Sequence, residues 1–135
     1  MRMKQIWDPL RRKNVALTPE EQVRQWFIGV LRDSYGVPEH MMGSEVAFEF
    51  GRKQYRADIV LFSREGRPLG VVECKRPEVE ITEEVVRQAM RYNAVLDVKF
   101  IFLTNGNNTY LYGREGERFV RLSSVPSFEE MLCPQ

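Results

Sequence analysis

Three shortages in this sequence narrow its possible functions. It has one histidine, His40, which excludes metal sites built from several histidines, and we interpret His40 as a solvated loop residue. The two cysteines, Cys74 and Cys133, give no disulfide framework, so we expect a reducing, cytoplasmic setting. No apolar run approaches the roughly 20 residues that a membrane helix needs, and the basic N-terminus has no signal-peptide core, so we expect no membrane.

An excess of charge of either sign is also missing. The chain has 20 Lys and Arg against 19 Asp and Glu, for a net charge of +1. The field of the whole protein therefore does not attract nucleic acid, and any such affinity requires local basic patches. Cations near predicted turns and strand ends are candidate phosphate contacts, although an ordinary mixed-charge surface is the alternative; these candidates are Arg52, Lys53 and Arg76.

What is present is enough apolar sequence for one packed domain. The chain has 135 residues, of which 43% are hydrophobic, and we predict a single domain over residues 1–135. Residues 1–17 are interpreted as an irregular basic lead-in, and the core is predicted to cover residues 18–125. The element pattern is typical of an α/β (α+β) fold with a central mixed sheet flanked by helices, in the order α-β-β-β-α-β-β.

Thr18 is predicted to be the N-cap of the first helix, with Pro19 at the first helical position and Glu21 as the acid of a capping box. The helix is predicted to end near Gly36. Its buried stripe is predicted to be Val23, Trp26, Phe27, Val30 and Leu31. The second helix begins at Thr82. We expect its side chains at positions i, i+3, i+7 and i+10 to share one face, namely Val85, Gln88, Tyr92 and Val95.

Strands are predicted on both sides of the second helix. Residues 44–50, 55–62 and 69–74 alternate or run apolar and form an antiparallel meander, with a turn at 51–54 and the third strand central. Residues 99–104 and 109–112 are the later strands, residues 118–122 add an edge strand, and a short helix follows Ser127.

The most informative residues lie on the second and third strands of the meander. Asp58 interrupts the apolar run 55–62, and Glu73-Cys74-Lys75 ends the run that begins at residue 69. Because side chains alternate along a strand, Glu73 and Lys75 point to one face and Cys74 to the other. Charged groups are costly to desolvate in a strand interior, so this combination indicates a functional site.

Asp58, Glu73 and Lys75 together favour a divalent-metal site. Mg²⁺, or Mn²⁺, prefers carboxylate oxygens and keeps several waters, so Asp58 and Glu73 are the predicted ligands. Lys75 can then hold or deprotonate the attacking water, an arrangement that suits phosphodiester hydrolysis. Two alternatives stay open: Asp58 as a strand residue paired with Arg56 or Lys75, and Lys75 as a simple counter-ion.

In this order, the motifs resemble the PD-(D/E)XK nuclease superfamily, and most of all the N-terminal domain of type I restriction enzyme R subunits, here as a stand-alone chain. The resemblance spans residues 18–125 and is carried by Asp58, Glu73-Cys74-Lys75 with Arg76-Pro77, Gln88 with Tyr92, and Thr104-Asn105-Gly106. Ala57 stands where many members have proline. No glycine-rich phosphate loop is present, so a helicase motor would require another chain.

The resemblance implies a Mg²⁺-dependent DNA endonuclease that leaves 5′-phosphates, with DNA as partner and a homodimer or a helicase or restriction-complex subunit as a further possibility. A non-catalytic module that binds nucleic acid or a partner protein through the same fold is the alternative. Metal titration separates the two, because only a nuclease requires the ion.

The resemblance also implies supporting site residues. Glu20, in preference to Glu21, is the helix carboxylate expected near the metal, with a surface Glu20–Arg24 pair as an equal alternative. Gln88 is expected to orient the Lys75 amine, a metal water or a phosphate, with Tyr92 in support, unless Gln88 is only a boundary residue. Two further candidates have weaker roles. Thr104-Asn105-Gly106 is predicted mainly to form a turn, with a supporting role at the site as the secondary interpretation. Glu45 is predicted to be solvent-exposed, and it is a weaker candidate for supporting the site from its edge.

Overall fold

The fold is organised around a six-stranded mixed sheet, and the computed structural model describes residues 4–133. Its strands are β3 (Met42–Phe50), β4 (Lys53–Phe62), β5 (Pro68–Cys74), β6 (Phe100–Thr104), β7 (Thr109–Glu115) and β8 (Arg118–Arg121). They lie in the order β3-β4-β5-β6-β7-β8, and only the central β5–β6 pair within this sheet is parallel. This confirms the predicted mixed sheet, its antiparallel meander and the central third strand.

Helices cover both faces of this sheet. They are α1 (Pro19–Ser34), α2 (Glu83–Asn93) and α3 (Phe128–Leu132), and a 3-10 turn spans Glu39–Met41. One apolar cluster joins α1 and α3 to the sheet and contains Phe27, Ile59 and Phe102, whereas a second cluster on the opposite face includes Val60 and Ile101. Residues of α2 pack against the second cluster. Because both faces are covered, the central strands are nearly continuous apolar runs.

Helix α1 begins as expected but buries a different face. The Glu21 amide donates to the Thr18 hydroxyl at 3.1 Å, which confirms the N-cap. The capping-box role of Glu21 is wrong, because its carboxylate is buried and accepts hydrogen bonds from Arg11 and Gln25. Trp26, predicted inside, is 48% exposed. The buried face instead combines Val23, Phe27, Ile28 and Leu31 with the charged pair Glu21 and Arg24, which an apolar pattern does not reveal.

The face predicted for α2 is also wrong by about one position. Gln88 is exposed, and Val95 lies beyond the helix end and is 38% exposed. The residues buried against the sheet are Ala89 and Asn93, accompanied by half-buried Val86 and Met90. The small side chain of Ala89 permits close approach, and the polar Asn93 is tolerated because its amide is hydrogen-bonded.

The predicted irregular lead-in is instead a β-hairpin. Strands β1 (Gln5–Asp8) and β2 (Lys13–Ala16) pair antiparallel as a separate two-stranded sheet. The buried Asp8 organises its turn by accepting from the Leu10 amide at 2.8 Å and from the Arg11 side chain. Burial alone would raise the pKa of Asp8, but these hydrogen bonds lower it below its usual range. Residues 1–3 of the predicted lead-in lie outside the described residues.

Two further features bear on the setting of the chain. Cys74 is buried and Cys133 is exposed, and both are free thiols. Burial raises the pKa of the Cys74 thiol well above its usual range, so it is inert as a nucleophile. Within residues 4–133, no helix combines the length and apolar character that a membrane crossing demands.

Candidate active site

Asp58 lies where strand β4 changes the face to which its side chains point. Ala57 packs in the cluster beneath α2, whereas Ile59 packs in the cluster beneath α1. Regular alternation would place residues 57 and 59 on the same face, so the strand is irregular at Asp58. The Asp58 side chain thereby comes within reach of α1 in an otherwise apolar strand.

The neighbouring strand is irregular at the same level. Ser44 and Val46 of β3 pair with β4 on either side of Glu45, and Glu45 itself has φ +52°. A non-glycine residue in the left-handed region is uncommon and is held there by its surroundings. Glu45 therefore lies beside Asp58 rather than simply facing solvent.

The Asp58 carboxylate is fixed at both oxygens. Oδ2 accepts from the Cys74 amide at 2.6 Å, and Oδ1 lies 3.4 Å from Nη2 of Arg24. Burial raises the pKa of Asp58 to about 6, and the nearby carboxylates Glu20 and Glu73 also raise it, whereas the Cys74 amide and Arg24 act in the opposite direction. Asp58 thus changes its charge close to neutral pH.

Glu73 lies beside Asp58 and is held by side chains from two elements. Ile59 pairs with Val72, so Asp58 and Glu73 are the next residues along the two paired strands, and the charge of Glu73 raises the pKa of Asp58. Glu73 Oε2 is 3.0 Å from the Lys75 ammonium, which agrees with the predicted shared face. Glu73 Oε1 accepts from Nδ2 of Asn93 on α2 at 3.2 Å.

Asn93 and β6 fix the orientation of this pair. Asn93 uses its second amide hydrogen on the Ala89 carbonyl at 2.8 Å, so both donor hydrogens are occupied. The Lys75 amide donates to the Thr104 carbonyl at 2.8 Å, which extends the β5–β6 pairing past the end of β5. The side chains of Lys75 and Glu73 are 36% and 21% exposed, so substrate and solvent can reach both.

Asp58 and Glu73 offer carboxylate oxygens, the donor atoms that a magnesium ion prefers. Mg²⁺ is commonly bound through one or two carboxylates, with waters and substrate phosphate as the other ligands. Among residues 4–133, no three His, Cys, Asp or Glu side chains converge into a ligand cage of their own. An ion held by Asp58 and Glu73 would therefore keep positions for water and a phosphate oxygen.

Arg24 is the main site residue that sequence reasoning missed. Its side chain is 5% exposed, with Nη1 3.3 Å from both Glu21 and Glu45 and Nη2 3.4 Å from Asp58. Its buried Nε has no hydrogen-bond partner. Because Arg24 is buried and pairs with Glu21, the alternative of a surface Glu20–Arg24 pair is wrong.

The ion pairs of Arg24 continue into the N-terminal hairpin through Arg11. One Arg11 nitrogen lies 2.6 Å from Glu21, another 3.3 Å from Glu45, and Nε donates to Asp8. Burial alone would lower the pKa of Arg11, but its hydrogen bonds to Asp8 and Glu21 raise it, so it stays charged. A continuous run of ion pairs thus connects the hairpin to Asp58.

Glu20 and Glu21 differ sharply in their surroundings. Both line an open cleft of about 570 Å³ together with Arg24, Glu45 and Arg76, but Glu21 is buried and paired with arginines, whereas Glu20 is partly exposed. Glu20 is also one of the carboxylates whose charge raises the pKa of Asp58. Of the two, Glu20 is therefore the acid that faces solvent near the site.

The predicted helix pair Gln88 and Tyr92 is split by the structure. The Gln88 amide donates to Glu84 at 3.2 Å on the exposed side of α2, so the expected hydrogen bond to Lys75 is not made. The Tyr92 hydroxyl accepts from the Arg56 amide at 2.9 Å, and its ring lies 5.0 Å from that of Tyr55. Tyr92 thus supports β4 two residues before Asp58.

The three predicted phosphate contacts are all exposed, but only Arg76 adjoins the site. Arg76 follows Lys75 directly and lines the cleft with Glu20. Arg52 lies in the tight β3–β4 turn and Lys53 begins β4. Asp58 lies five positions after Lys53 along β4, a span of roughly 17 Å, so Arg52 and Lys53 lie at some distance from the carboxylates.

Thr104-Asn105-Gly106 forms the expected turn and also anchors the chain beyond Lys75. The Asn105 side-chain oxygen accepts from the amides of Asn107 and Asn108, and Gly106 has φ +89°. The Asn105 amide group donates to the Val79 carbonyl at 2.9 Å. The segment that follows Lys75 is therefore fixed to the end of β6.

Comparison with known proteins gives consistent matches. A family model described as the N terminus of type I restriction enzyme R proteins matches residues 19–126. An endonuclease subunit of the type I restriction enzyme EcoAI from Escherichia coli is 37% identical over 81 residues, covering 56% of this chain. The match covers 10% of that subunit, so the chain corresponds to a small part of it.

Two solved structures share the fold. One is a fragment of a candidate HsdR subunit of a type I restriction enzyme from Vibrio vulnificus YJ016, with a TM-score of 0.63 and 23% identity over 85% of this chain and 24% of the fragment. The other is a candidate DUF820 nuclease from Anabaena variabilis ATCC 29413, with a TM-score of 0.52 and 12% identity over 98% of this chain and 93% of that protein.

Proposed function

The chain belongs to the family of type I restriction enzyme R protein N termini, and from this premise we propose that it is a Mg²⁺-dependent DNA endonuclease, with Mn²⁺ as a substitute. The observation that carries the proposal is the meeting of Asp58 and Glu73 at neighbouring strand positions, with the Lys75 ammonium 3.0 Å from Glu73. We further propose that it acts on DNA within a restriction complex, the context named for its relatives.

Asp58 and Glu73 would hold the ion, which when bound supplies a Lewis acid and positive charge next to the scissile phosphate. Lys75 carries three ammonium hydrogens, of which one or two serve Glu73, so it can also donate to the attacking water and to a phosphate oxygen. Asn93 keeps Glu73 turned toward Lys75. Arg24 and the Cys74 amide keep Asp58 in place before substrate arrives.

Glu20 and Arg76 occupy the cleft beside this group and are proposed to meet the substrate there. Arg76, exposed at the end of β5, provides a cation for a flanking phosphate. Glu20 lies close enough to add to the negative potential around Asp58, which strengthens cation binding. Arg52 and Lys53 are proposed to contact phosphates further along the same nucleic acid. Gln88 is kept as a candidate that reaches the site only after its bond to Glu84 is broken.

Incubation with supercoiled plasmid and with a single-stranded circle tests this function, in Mg²⁺, Mn²⁺ or EDTA. We expect metal-dependent nicking that is lost in Lys75→Met, which keeps side-chain length and removes the charge. Lys99→Met is the matched control. Lys99 is an exposed lysine that directly precedes β6, whereas Lys75 is hydrogen-bonded to the last residue of that strand, Thr104. Equal cleavage by wild type and Lys75→Met would reveal a contaminant and refute the proposal.

A non-catalytic module for nucleic acid or a partner protein is the second candidate function. The observation that favours it is that both proposed metal ligands already have cationic partners, Arg24 at Asp58 and Lys75 at Glu73. Such pairs balance the negative charge of the carboxylates without a metal ion. Titration with Mn²⁺ separates the candidates, because a module of this kind would show no binding that depends on Asp58 and Glu73.

A further inference from the structure

The N-terminal hairpin forms one wall of the cleft next to the candidate active site. Val15 and Ala16 of β2 line the same cleft as Glu20, Glu45 and Arg76. Arg11, in the hairpin turn, fixes this wall by its ion pairs to Glu21 and Glu45. Nucleic acid lying in the cleft would therefore pass the hairpin before it reaches Arg76. The hairpin precedes residue 19, where the family match begins.

The outer face of the hairpin carries an exposed tryptophan among small and polar side chains. Trp7 pairs with Asn14, and Gln5 pairs with Ala16, so these four residues share one face, and all are exposed. The opposite face carries Ile6 and the buried Asp8, and Lys13, which pairs with Asp8, belongs to it as well. Trp7 is 55% exposed, and its immediate neighbours do not extend it into an apolar patch of the kind that binds proteins.

The charge of the hairpin complements a nucleic-acid backbone. Lys4, Arg12 and Lys13 are all exposed, and none of them has an ion-pair partner among the described residues. The one acid between residues 4 and 17 is Asp8, which is fully buried and bonded to Arg11. The hairpin therefore presents cations and an indole ring, but no free carboxylate.

We propose that the hairpin is a binding site for single-stranded nucleic acid, with a base stacked on Trp7 and the backbone attracted by the charge of Lys4, Arg12 and Lys13. Stacking on an open indole face requires an unpaired base, and a cationic surface that carries an aromatic ring is the usual composition of a single-strand site. This inference rests on the proposed function, since the nucleic acid that binds the hairpin is taken to be the substrate of that site. The strand would run from the hairpin through the cleft to Asp58.

The two tryptophans of the chain allow a direct test by fluorescence. Trp7 and Trp26 are both exposed, at 55% and 48%, so Trp26→Phe reports on Trp7 alone and Trp7→Phe on Trp26 alone. Each variant is titrated in EDTA, to prevent cleavage, with an oligothymidylate of about 12 nucleotides. We expect saturable quenching of Trp7 that weakens with salt, and little change at Trp26.

A binding assay on alanine variants completes the test. Trp7→Ala should weaken binding of the oligothymidylate about tenfold, in line with the loss of one stacked base, whereas Trp26→Ala should bind like wild type. Both side chains are exposed, so both variants should fold, and thermal unfolding checks this. Equal quenching of both tryptophans, quenching by duplex but not by single strands, or unchanged affinity of Trp7→Ala would each overturn the inference.

Failure of the hairpin site and failure of the proposed nuclease function give different results in these experiments. Absence of metal-dependent cleavage, together with quenching of Trp7 and weakened binding by Trp7→Ala, would refute the nuclease and support the hairpin site. Cleavage that Lys75→Met abolishes, together with an unresponsive Trp7, would support the nuclease and refute the hairpin site.

Discussion

At the scale of single residues, Asp58 is the group on which stability and function make opposite demands. Its carboxylate lies in an apolar strand, where burial raises its pKa to about 6, while Arg24 and the Cys74 amide favour the charged form. The proposed metal binding requires the carboxylate ionised, so the buried charge that lowers stability at neutral pH is the form that would bind the ion. The effect of pH on stability and the effect of pH on metal affinity can both be measured.

Asp58→Asn should stabilise the protein increasingly as pH rises. The folded state holds the Asp58 proton more strongly than the unfolded state, so the stability that this carboxyl contributes is present at about pH 4 and lost as pH rises through 6. Asparagine does not titrate. The gain in the free energy of unfolding over wild type should therefore grow by up to about 3 kcal/mol between about pH 4 and 7.

Urea unfolding across this pH range measures the difference, with Asp97→Asn as an exposed control. A gain for Asp58→Asn that is independent of pH would contradict the assigned burial of the charge. In the wild type, the same titration predicts that affinity for Mn²⁺ falls as pH drops through about 6.

Asn93 is the second residue with a measurable role, because its amide orients Glu73. Asn93→Leu keeps the branch at Cγ and removes the 3.2 Å hydrogen bond to Glu73 together with the bond to Ala89. Loss of a hydrogen bond that orients a metal ligand typically costs tenfold or more in affinity, so we expect Mn²⁺ binding to weaken by about that factor. Calorimetry gives the affinity, and circular dichroism checks that the variant is folded. Unchanged Mn²⁺ affinity in a folded variant would refute the orienting role.

At the scale of elements, the two large helices bring polar groups to the sheet from opposite faces. Helix α1 delivers Arg24 to Asp58, and α2 delivers Asn93 to Glu73. The strands, by contrast, position Glu73 and Lys75 by simple alternation. This difference explains which site residues the sequence reveals. Strand period places Glu73 with Lys75, but a buried arginine or asparagine on a helix has no apolar signature, so Arg24 and Asn93 escaped detection.

The charged face of α1 should be far more sensitive to substitution than its exposed end. Arg24→Met leaves the carboxylates of Glu21, Glu45 and Asp58 without their shared cation, and we expect a loss of about 3–5 kcal/mol in the free energy of unfolding. Arg32→Met, in the last turn of the same helix, breaks only exposed pairs and should lower the free energy of unfolding far less. Chemical denaturation measures both. Similar losses for the two variants would contradict the buried network.

At the scale of the whole molecule, the site lies where every layer contributes. The meander brings Asp58 to Glu73, β6 accepts the Lys75 amide, and helices from both faces hold the carboxylates. The meander, its central third strand and most strand bounds followed from apolar runs and turn residues, because these are local signals. The irregularity shared by β3 and β4 at Asp58, and the ion pairs that reach the hairpin, depend on contacts between distant segments and had no local signal.

The central claim is that Asp58 and Glu73 jointly hold one divalent ion, and calorimetric titration with Mn²⁺ at pH above 7 tests it most directly. We predict saturable binding to the wild type and to Glu117→Gln, an exposed control on the β7–β8 turn, with binding lost or strongly weakened in Asp58→Asn and Glu73→Gln. Absence of binding by the wild type, or equal binding by Asp58→Asn, would contradict the account.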